Sequence, residues 1–116
     1  MIYHAMRGAS KVQIEKLRNA FIPMSETMLY ILMSLTSERH GYGIMLYVKD
    51  ITNGRLSLGA GTVYQTLGKL EKGGLIKQTT EIDRKKYYII TDVGRQLLIE
   101  ESKRISEINR NLEAIL

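Results

Sequence analysis

Thr62, Gln65 and Lys69 follow one another at intervals of three and four residues, a spacing that stacks side chains along one face of a helix. These residue types can read nucleic acid. A glutamine amide can pair bidentately with adenine, a threonine can touch a thymine methyl or a phosphate, and a lysine can neutralise a phosphate. Gly61, Gly68 and Lys72 fall on the same side, and no acidic residue does. Opposite them, Val63, Leu67 and Leu70 recur at i, i+4 and i+7, one narrow apolar stripe at about 100° per residue. Tyr64 sits on the flank between the two faces. Residues 61–72 are therefore expected to form a helix that buries the stripe and offers its polar, basic face to a polyanion. The bland alternative for that face is ordinary solvation.

A second cluster follows at once. Gly73 and Gly74 end the helix where left-handed geometry is easy. Residues 75–80 read as a strand, 82–84 as a turn and 85–90 as the returning strand. Arg84, Lys85 and Lys86 then stand together at a hairpin tip, either as phosphate contacts or as a solvated turn. Tyr87 and Tyr88 alternate across the strand, so one is expected in the core and the other outside. A helix followed by a basic-tipped hairpin is the outline of a winged helix, with the helix in the major groove and the wing on the flanking backbone.

The rest of the chain must position these two clusters. At 116 residues it is one domain, with arms. It is 44% hydrophobic and 25% charged, carries a net charge of +5 and has a pI near 9.5. This balance suits a nucleic acid or an acidic surface without specifying either. A chain of this length buries only about two-thirds of its unfolded surface, so further burial by dimerisation is expected. Cysteine is absent, which fits a reducing cytoplasm. No apolar run approaches the ~18 residues of a membrane span, and the first residues lack the apolar core of a signal peptide.

Residues 1–10 show no period and are expected to fray. From Lys11, the residues Ile14, Leu17, Phe21 and Met24 form one stripe, and Pro23 should stop that helix near Phe21. Ser25 caps a central helix over about 26–36, apolar around most of its girth. Residues 37–41 read as a loop. A helix with Ile44, Tyr47, Val48 and Ile51 begins at Gly41 and ends in the turn chemistry of Thr52, Asn53 and Gly54. Leu56, Ser57 and Leu58 alternate and are expected to supply the short strand that pairs with the wing. Thr91 and Asp92 cap a long last helix. Its a positions are Leu98, Ile105 and Leu112 and its d positions are 101, Ile108 and Ile115, broken only by Glu101. That 3.5-residue repeat is a coiled-coil seam more than a globular face. The expected partner is the same helix, or the N-terminal helix, of a second chain. The division is 1–24 as arm and helix, 25–90 as winged-helix domain, and 91–116 as dimerisation helix.

At these residues the sequence resembles the PadR family of bacterial transcriptional regulators. The matching stretches are Gly41-Tyr42-Gly43-Ile44, then Leu58-Gly59-Ala60-Gly61-Thr62-Val63-Tyr64-Gln65-Thr66-Leu67, then Leu70-Glu71-Lys72-Gly73-Gly74-Leu75-Ile76, then Arg84-Lys85-Lys86-Tyr87-Tyr88-Ile89-Ile90-Thr91 with Gly94. The resemblance covers about 25–98 and is specific through the order of the motifs more than through any one of them. It implies a dimeric winged-helix repressor whose recognition helices read a palindromic operator. It further implies that Tyr42, Thr62, Tyr64 and the wing cations touch DNA, and that a small aromatic or hydrophobic effector can release it. Two features depart from the family. The wing carries Glu81-Ile82-Asp83 where many relatives have Gly or Pro, and the absence of tryptophan removes a pocket built on indole rings.

From the residues alone, Tyr42 is either a core plug or a phosphate donor at a helix start, and Tyr64 either half-buried packing or a DNA contact. Gly41-Tyr42-Gly43 and Gly59-Ala60-Gly61 do not extend to a nucleotide fingerprint. His4 and His40 lack a second ligand at metal spacing. Ser25, Ser34 and Ser37 read as caps or helix surface, and Met24, Met28, Met33 and Met45 as core. No catalytic constellation or cofactor motif is visible, so an enzyme is not expected. The expected fold is mostly α with a small β wing, a winged helix-turn-helix domain followed by a long dimerisation helix. The expected function is a DNA-binding transcriptional regulator that acts as a homodimer on double-stranded DNA. The rivals are a winged helix used for protein–protein assembly and a small-molecule sensor without direct sequence reading.

Overall fold

Ser10 opens the first helix by satisfying its free N–H groups. Its hydroxyl accepts the Gln13 N–H at 3.1 Å, and its own N–H donates to Gln13 Oε1 at 2.8 Å, a reciprocal capping box. The computed structural model describes residues 10–116; the segment expected to fray lies outside the described residues apart from Ser10, and so does His4. Helix α1 spans Lys11–Phe21 and stops before Pro23, as its ring requires. Ile14 is fully buried, and Leu17 and Phe21 are half-buried against the core. The helix docks on its own domain, with Phe21 against Gly73, where a methyl group would stand 2.6 Å from the ring.

Helix α2 spans Glu26–Ser34, two residues short of the expected end, and is capped by the Ser25 hydroxyl. Its Ile31 and Leu32, with Leu35 after it, are fully buried. Ser34 is buried as well, not helix surface, and donates to the Ile31 carbonyl at 2.6 Å. Strand β1 is Arg39–His40 and helix α3 is Gly41–Ile51. Asn53 and Gly54 take positive φ angles of 51° and 80° to end it. Helix α4 is Ala60–Lys72, strand β2 Ile76–Ile82, strand β3 Lys85–Ile90 and helix α5 Asp92–Ile115. The chain is thus mostly helical with one three-stranded antiparallel sheet in the order β1-β3-β2.

One expected strand is wrong. Residues 56–58 form no strand; the third strand is Arg39–His40, within the stretch expected to be a loop, and it pairs Arg39 with Tyr88 and His40 with Tyr87. The alternation at Leu56, Ser57 and Leu58 has a different cause. Leu58 is buried and Leu56 packs against the core, so the period reports an extended connection pressed on the core, not a ladder.

The α4–β2 corner is fixed by backbone hydrogen bonds. Leu75 N–H reaches the Leu70 carbonyl at 2.9 Å and Gly74 N–H the Glu71 carbonyl at 3.0 Å, with Gly74 at φ 80°. This is a Schellman closure, and it needs the left-handed residue that glycine supplies. Thr91 locks the same corner from the far side, donating its N–H to the Leu75 carbonyl and its hydroxyl to the Gly74 carbonyl. One core of Ile31, Leu32, Leu35, Ile44, Val48, Val63, Leu67, Leu70, Leu75 and Leu97 joins the inner faces of α2, α3, α4 and α5 to Ile76, Tyr88 and Ile90 of the sheet, with Leu17 and Phe21 of α1 packed against it.

Glu101, the one break in the heptad, is fully buried. Its carboxylate accepts the Met24 N–H at 2.7 Å and pairs with Arg104 at 2.6 Å, so it ties α5 to the segment after α1. Glu100 beside it accepts two bonds from Arg18 of α1, at 2.9 and 3.0 Å. The Arg18 guanidinium holds the Glu100 carboxyl below the ordinary value of 4.5, and Arg104 does the same for Glu101. A lowered folded-state value stabilises the protein above the unfolded value and ceases to do so as pH falls through the folded one. Thermal melts should therefore lose stability as pH drops below 4.5. The slope should be shallower in Glu100→Gln. An unchanged acid slope in that variant would remove Glu100 from this role.

Candidate nucleic-acid interface

Helix α4 presents two opposite faces. Val63, Thr66, Leu67 and Leu70 are buried, whereas Gly61, Thr62, Gln65, Gly68 and Lys69 are exposed. The outward face matches the sequence reading residue by residue. Gly61 and Gly68 have open space where a side chain would be. A glycine inside a helix costs about 1 kcal/mol relative to alanine, and packing in this chain gives no reason for that cost. Bare backbone on an exposed helix face is what close approach of a large, flat partner requires.

Tyr64 is 59% exposed, yet it is not free. A methyl group on Gly41 would stand 2.7 Å from its hydroxyl oxygen, so its ring lies against the first residue of α3 and α4 approaches α3 closely there. Tyr42 is also 59% exposed, which settles its placement against a core plug. It projects from the first turn of α3, its ring centroid 6.5 Å from that of His40.

The wing is a two-residue hairpin. Asp83 and Arg84 take φ angles of 52° and 67°, the paired left-handed conformation that matches strand twist. The register sets Ile82 opposite Lys85 and Glu81 opposite Lys86. Arg84, Lys85 and Lys86 are all exposed. A bulge at Thr79 bends β2 between Gln78 and Thr80, and the Thr79 hydroxyl donates to the Glu38 carboxylate. The root of the wing is thereby tied to the segment before β1. Tyr88 points into the core, and Tyr87 lies on the other face.

The ion pairs among the described residues join Arg18 to Glu15 and Glu100, Arg55 to Glu26, and Arg104 to Glu101. None involves Lys69, Arg84, Lys85 or Lys86, so these cations remain available to an anionic partner. The sequence reading missed His40. Its ring lies against Tyr87, tilted by 38° with centroids 5.0 Å apart, and its centroid is 6.5 Å from that of Tyr42. The only signal for this was the strand at 39–40, which two residues are too few to announce. Among the described residues no group of three or more His, Cys, Asp or Glu side chains gathers to hold a metal, and no helix is long and apolar enough to cross a membrane.

The predicted seam on α5 divides. Leu98 packs partly against the chain's own core. Ile105, Ile108, Leu112 and Ile115 are exposed, from 40% to 79%, and belong to no core cluster among the described residues.

The model of the transcriptional regulator PadR-like family matches residues 28–100. The transcriptional regulator YqjI of Escherichia coli (strain K12) is 30% identical over 98 residues, 84% of this chain and 47% of that protein. The chain thus spans about half the length of the curated relatives it matches first. Among solved structures, Bacillus subtilis PadR in complex with operator DNA is 32% identical, over 66% of this chain and 46% of that one, with a TM-score of 0.59. A transcriptional regulator from Clostridium thermocellum covers 93% of this chain and 98% of its own, with a TM-score of 0.66 at 17% identity, a likeness of fold alone.

Proposed function

The chain belongs to the PadR-like family of transcriptional regulators, which is not an enzyme family, and from that premise we propose that it is a sequence-specific repressor that binds double-stranded DNA as a homodimer. The observation that carries this reading is the exposed face of α4, polar and basic without an acid, together with a wing tip whose cations form no ion pair among the described residues. The relative solved on operator DNA supports it, because the likeness there extends to sequence.

In this reading each subunit lays α4 in a major groove. Thr62 and Gln65, with Tyr64 at the edge, face the bases over the bare backbone of Gly61 and Gly68. Lys69, Tyr42 and the wing residues Arg84, Lys85 and Lys86 hold phosphates. Residues 25–90 form the reading domain, 1–24 brace it, and 91–116 join two copies through Ile105, Ile108, Leu112 and Ile115, with Leu98 at the base of the seam. Two recognition helices related by a twofold axis read a palindrome with half-sites about 34 Å apart. The protein acts where the DNA is, in the cytoplasm. A small aromatic or hydrophobic effector that releases the DNA finds an apolar floor in the groove of Leu17, Phe21 and Met28 beside Lys69 and Lys72, against the reading helix itself.

The test is selection from a pool of random duplexes at two salt concentrations. Enrichment of a palindrome with half-sites one turn apart is the expected result; binding that is steep in salt but yields no motif would leave only a basic surface. On the enriched duplex, Gln65→Ala should cost about 1–3 kcal/mol while leaving random DNA nearly unaffected. Lys85→Ala should weaken both alike and reduce the salt slope by about one. Equal losses on both duplexes for Gln65→Ala would take that residue out of the reading role.

A further inference from the structure

We propose that His40 is a further DNA-contacting residue, whose imidazolium, seated on Tyr87 beside Tyr42, pairs with a backbone phosphate so that each subunit takes up a proton as DNA binds. The proposal rests on the DNA-binding reading above and adds a residue and a linked ion to it.

The placement comes first. His40 lies opposite Tyr87 in the β1–β3 ladder, and the two rings are tilted by 38° with centroids 5.0 Å apart. Tyr42 of α3 lies with its centroid 6.5 Å from the imidazole, tilted by 52°. Gly43 leaves room for the imidazole, since a methyl group there would stand 3.3 Å from His40 Nδ1. Tyr87 is two residues along β3 from Lys85, about 7 Å. On this proposal the phosphate backbone held by the wing tip continues past the ring toward Tyr42.

Among the described residues no carboxylate is paired with the ring. Arg39, next in the chain, is turned away: its guanidinium lies 4.2 Å over the Tyr47 ring and donates to the Ser34 carbonyl. Glu38, the nearest acid in sequence, keeps its charge and accepts the Thr79 hydroxyl at the root of the wing rather than the imidazole. On β3, Lys86 stands opposite Glu81 in the register. From α3, the ring meets Tyr42 and the glycine. Among the described residues His40 takes part in no ion pair and no side-chain hydrogen bond. A bound phosphate would be its first anionic partner.

Imidazole is the side chain that gains charge between pH 5 and 8. An anion within contact favours the charged form, and a tyrosine face beneath it does the same. The proton comes from solvent, stays on the ring while DNA is bound and returns on release. Affinity must then rise as pH falls, by linkage. The chain has only two histidines, His4 and His40, so the source of a neutral-pH slope can be assigned.

The experiment is titration of the full chain with a mixed-sequence duplex between pH 5.5 and 8.5 at fixed salt, for the wild type and for His40→Gln, His40→Phe and His4→Gln. The wild-type Kd is expected to rise about tenfold per subunit over that range, the ratio a tenfold phosphate preference for the charged ring produces. His40→Gln and His40→Phe should flatten the profile; His4→Gln should keep it. The phenyl ring retains the contact with Tyr87, so a flat profile with an unchanged melting temperature separates charge from packing. A flat wild-type profile, or a slope that survives in both His40 variants, overturns the proposal. If no duplex binds at any pH, the DNA-binding reading itself fails, and that result is distinct from binding without pH dependence.

Discussion

Gly94→Ala should unfold most of the protein at temperatures where the wild type is intact. Gly94 sits in the first turn of α5, directly against the corner that closes α4. A methyl group there would overlap the Leu75 carbonyl oxygen and stand 2.9 Å from both the Leu75 carbonyl carbon and Ile90 Cγ1. The obstruction is backbone. That carbonyl already receives the Thr91 N–H at 3.0 Å, and its residue closes the helix by bonding back to Leu70. No rotamer change can relieve the overlap, so α5 must lift or the Schellman corner must open. Either movement uncovers Leu97 and Leu75, both fully buried. Buried overlap with backbone belongs to the short list of changes that cost about 4 kcal/mol or more, a large part of the ~5–15 kcal/mol that holds a domain together. A fall in melting temperature of about 15 °C or more is expected. Gly68→Ala is the control: open space surrounds that position, and helix propensity predicts a gain of about 1 kcal/mol there. If both variants melt within ~1 kcal/mol of the wild type, the corner is softer than its geometry implies.

The difference between those two glycines marks what the sequence could disclose. Periodicity found α1, α2, α3, α4 and α5, because each buries one stripe and stripes are local. The wing was legible because its turn and its cations are contiguous. The strand at Arg39–His40 was not. A two-residue ladder has no period, and what pairs it with Tyr88 and Tyr87 is nearly fifty residues distant in the chain. Leu56, Ser57 and Leu58 carried the better local pattern and misled for that reason. Glu101 was visible as an exception in the heptad, but its cause, the Met24 N–H that it accepts, is a contact at a distance of 77 residues. The candidate site divides in the same way. Thr62, Gln65 and Lys69 were found by spacing, whereas the contact of Tyr64 with Gly41 and the seat of His40 depend on how α3 meets α4 and β3. Gly94 could be named from the family pattern, but only the approach of Leu75 says why alanine is excluded.

Ile108→Glu combined with Leu112→Glu should leave a folded monomer that has lost most of its affinity for a palindromic duplex. Among the described residues, nothing packs on the last turns of α5 as part of the core. Beyond Arg104 every described residue is exposed, and a free helical end of that length is marginal in water. It nevertheless carries Ile105, Ile108, Leu112 and Ile115 at alternating intervals of three and four, the pattern of a two-stranded seam. Burying each such side chain contributes about 1.5–3 kcal/mol, enough for the pair of helices to hold each other. Two carboxylates in the seam remove that gain and face their symmetry mates as like charges. They lie far from the core formed by Leu97, Leu75 and Leu70, so the winged-helix domain should keep its fold. The effect on DNA follows from geometry alone. A dimer presents its second half-site reader at high effective concentration, and linkage of this kind raises affinity by about 10²–10⁴ over a single reader. The double variant should sediment as a monomer and bind the palindrome with a Kd raised about a thousandfold, while its affinity for an isolated half-site stays near that of the wild type. Loss on the half-site as well would point to damage in the reading domain. A variant that remains dimeric, or binds the palindrome undiminished, would place the subunit contact elsewhere, and α1 with its exposed Val12 would be the next surface to mutate.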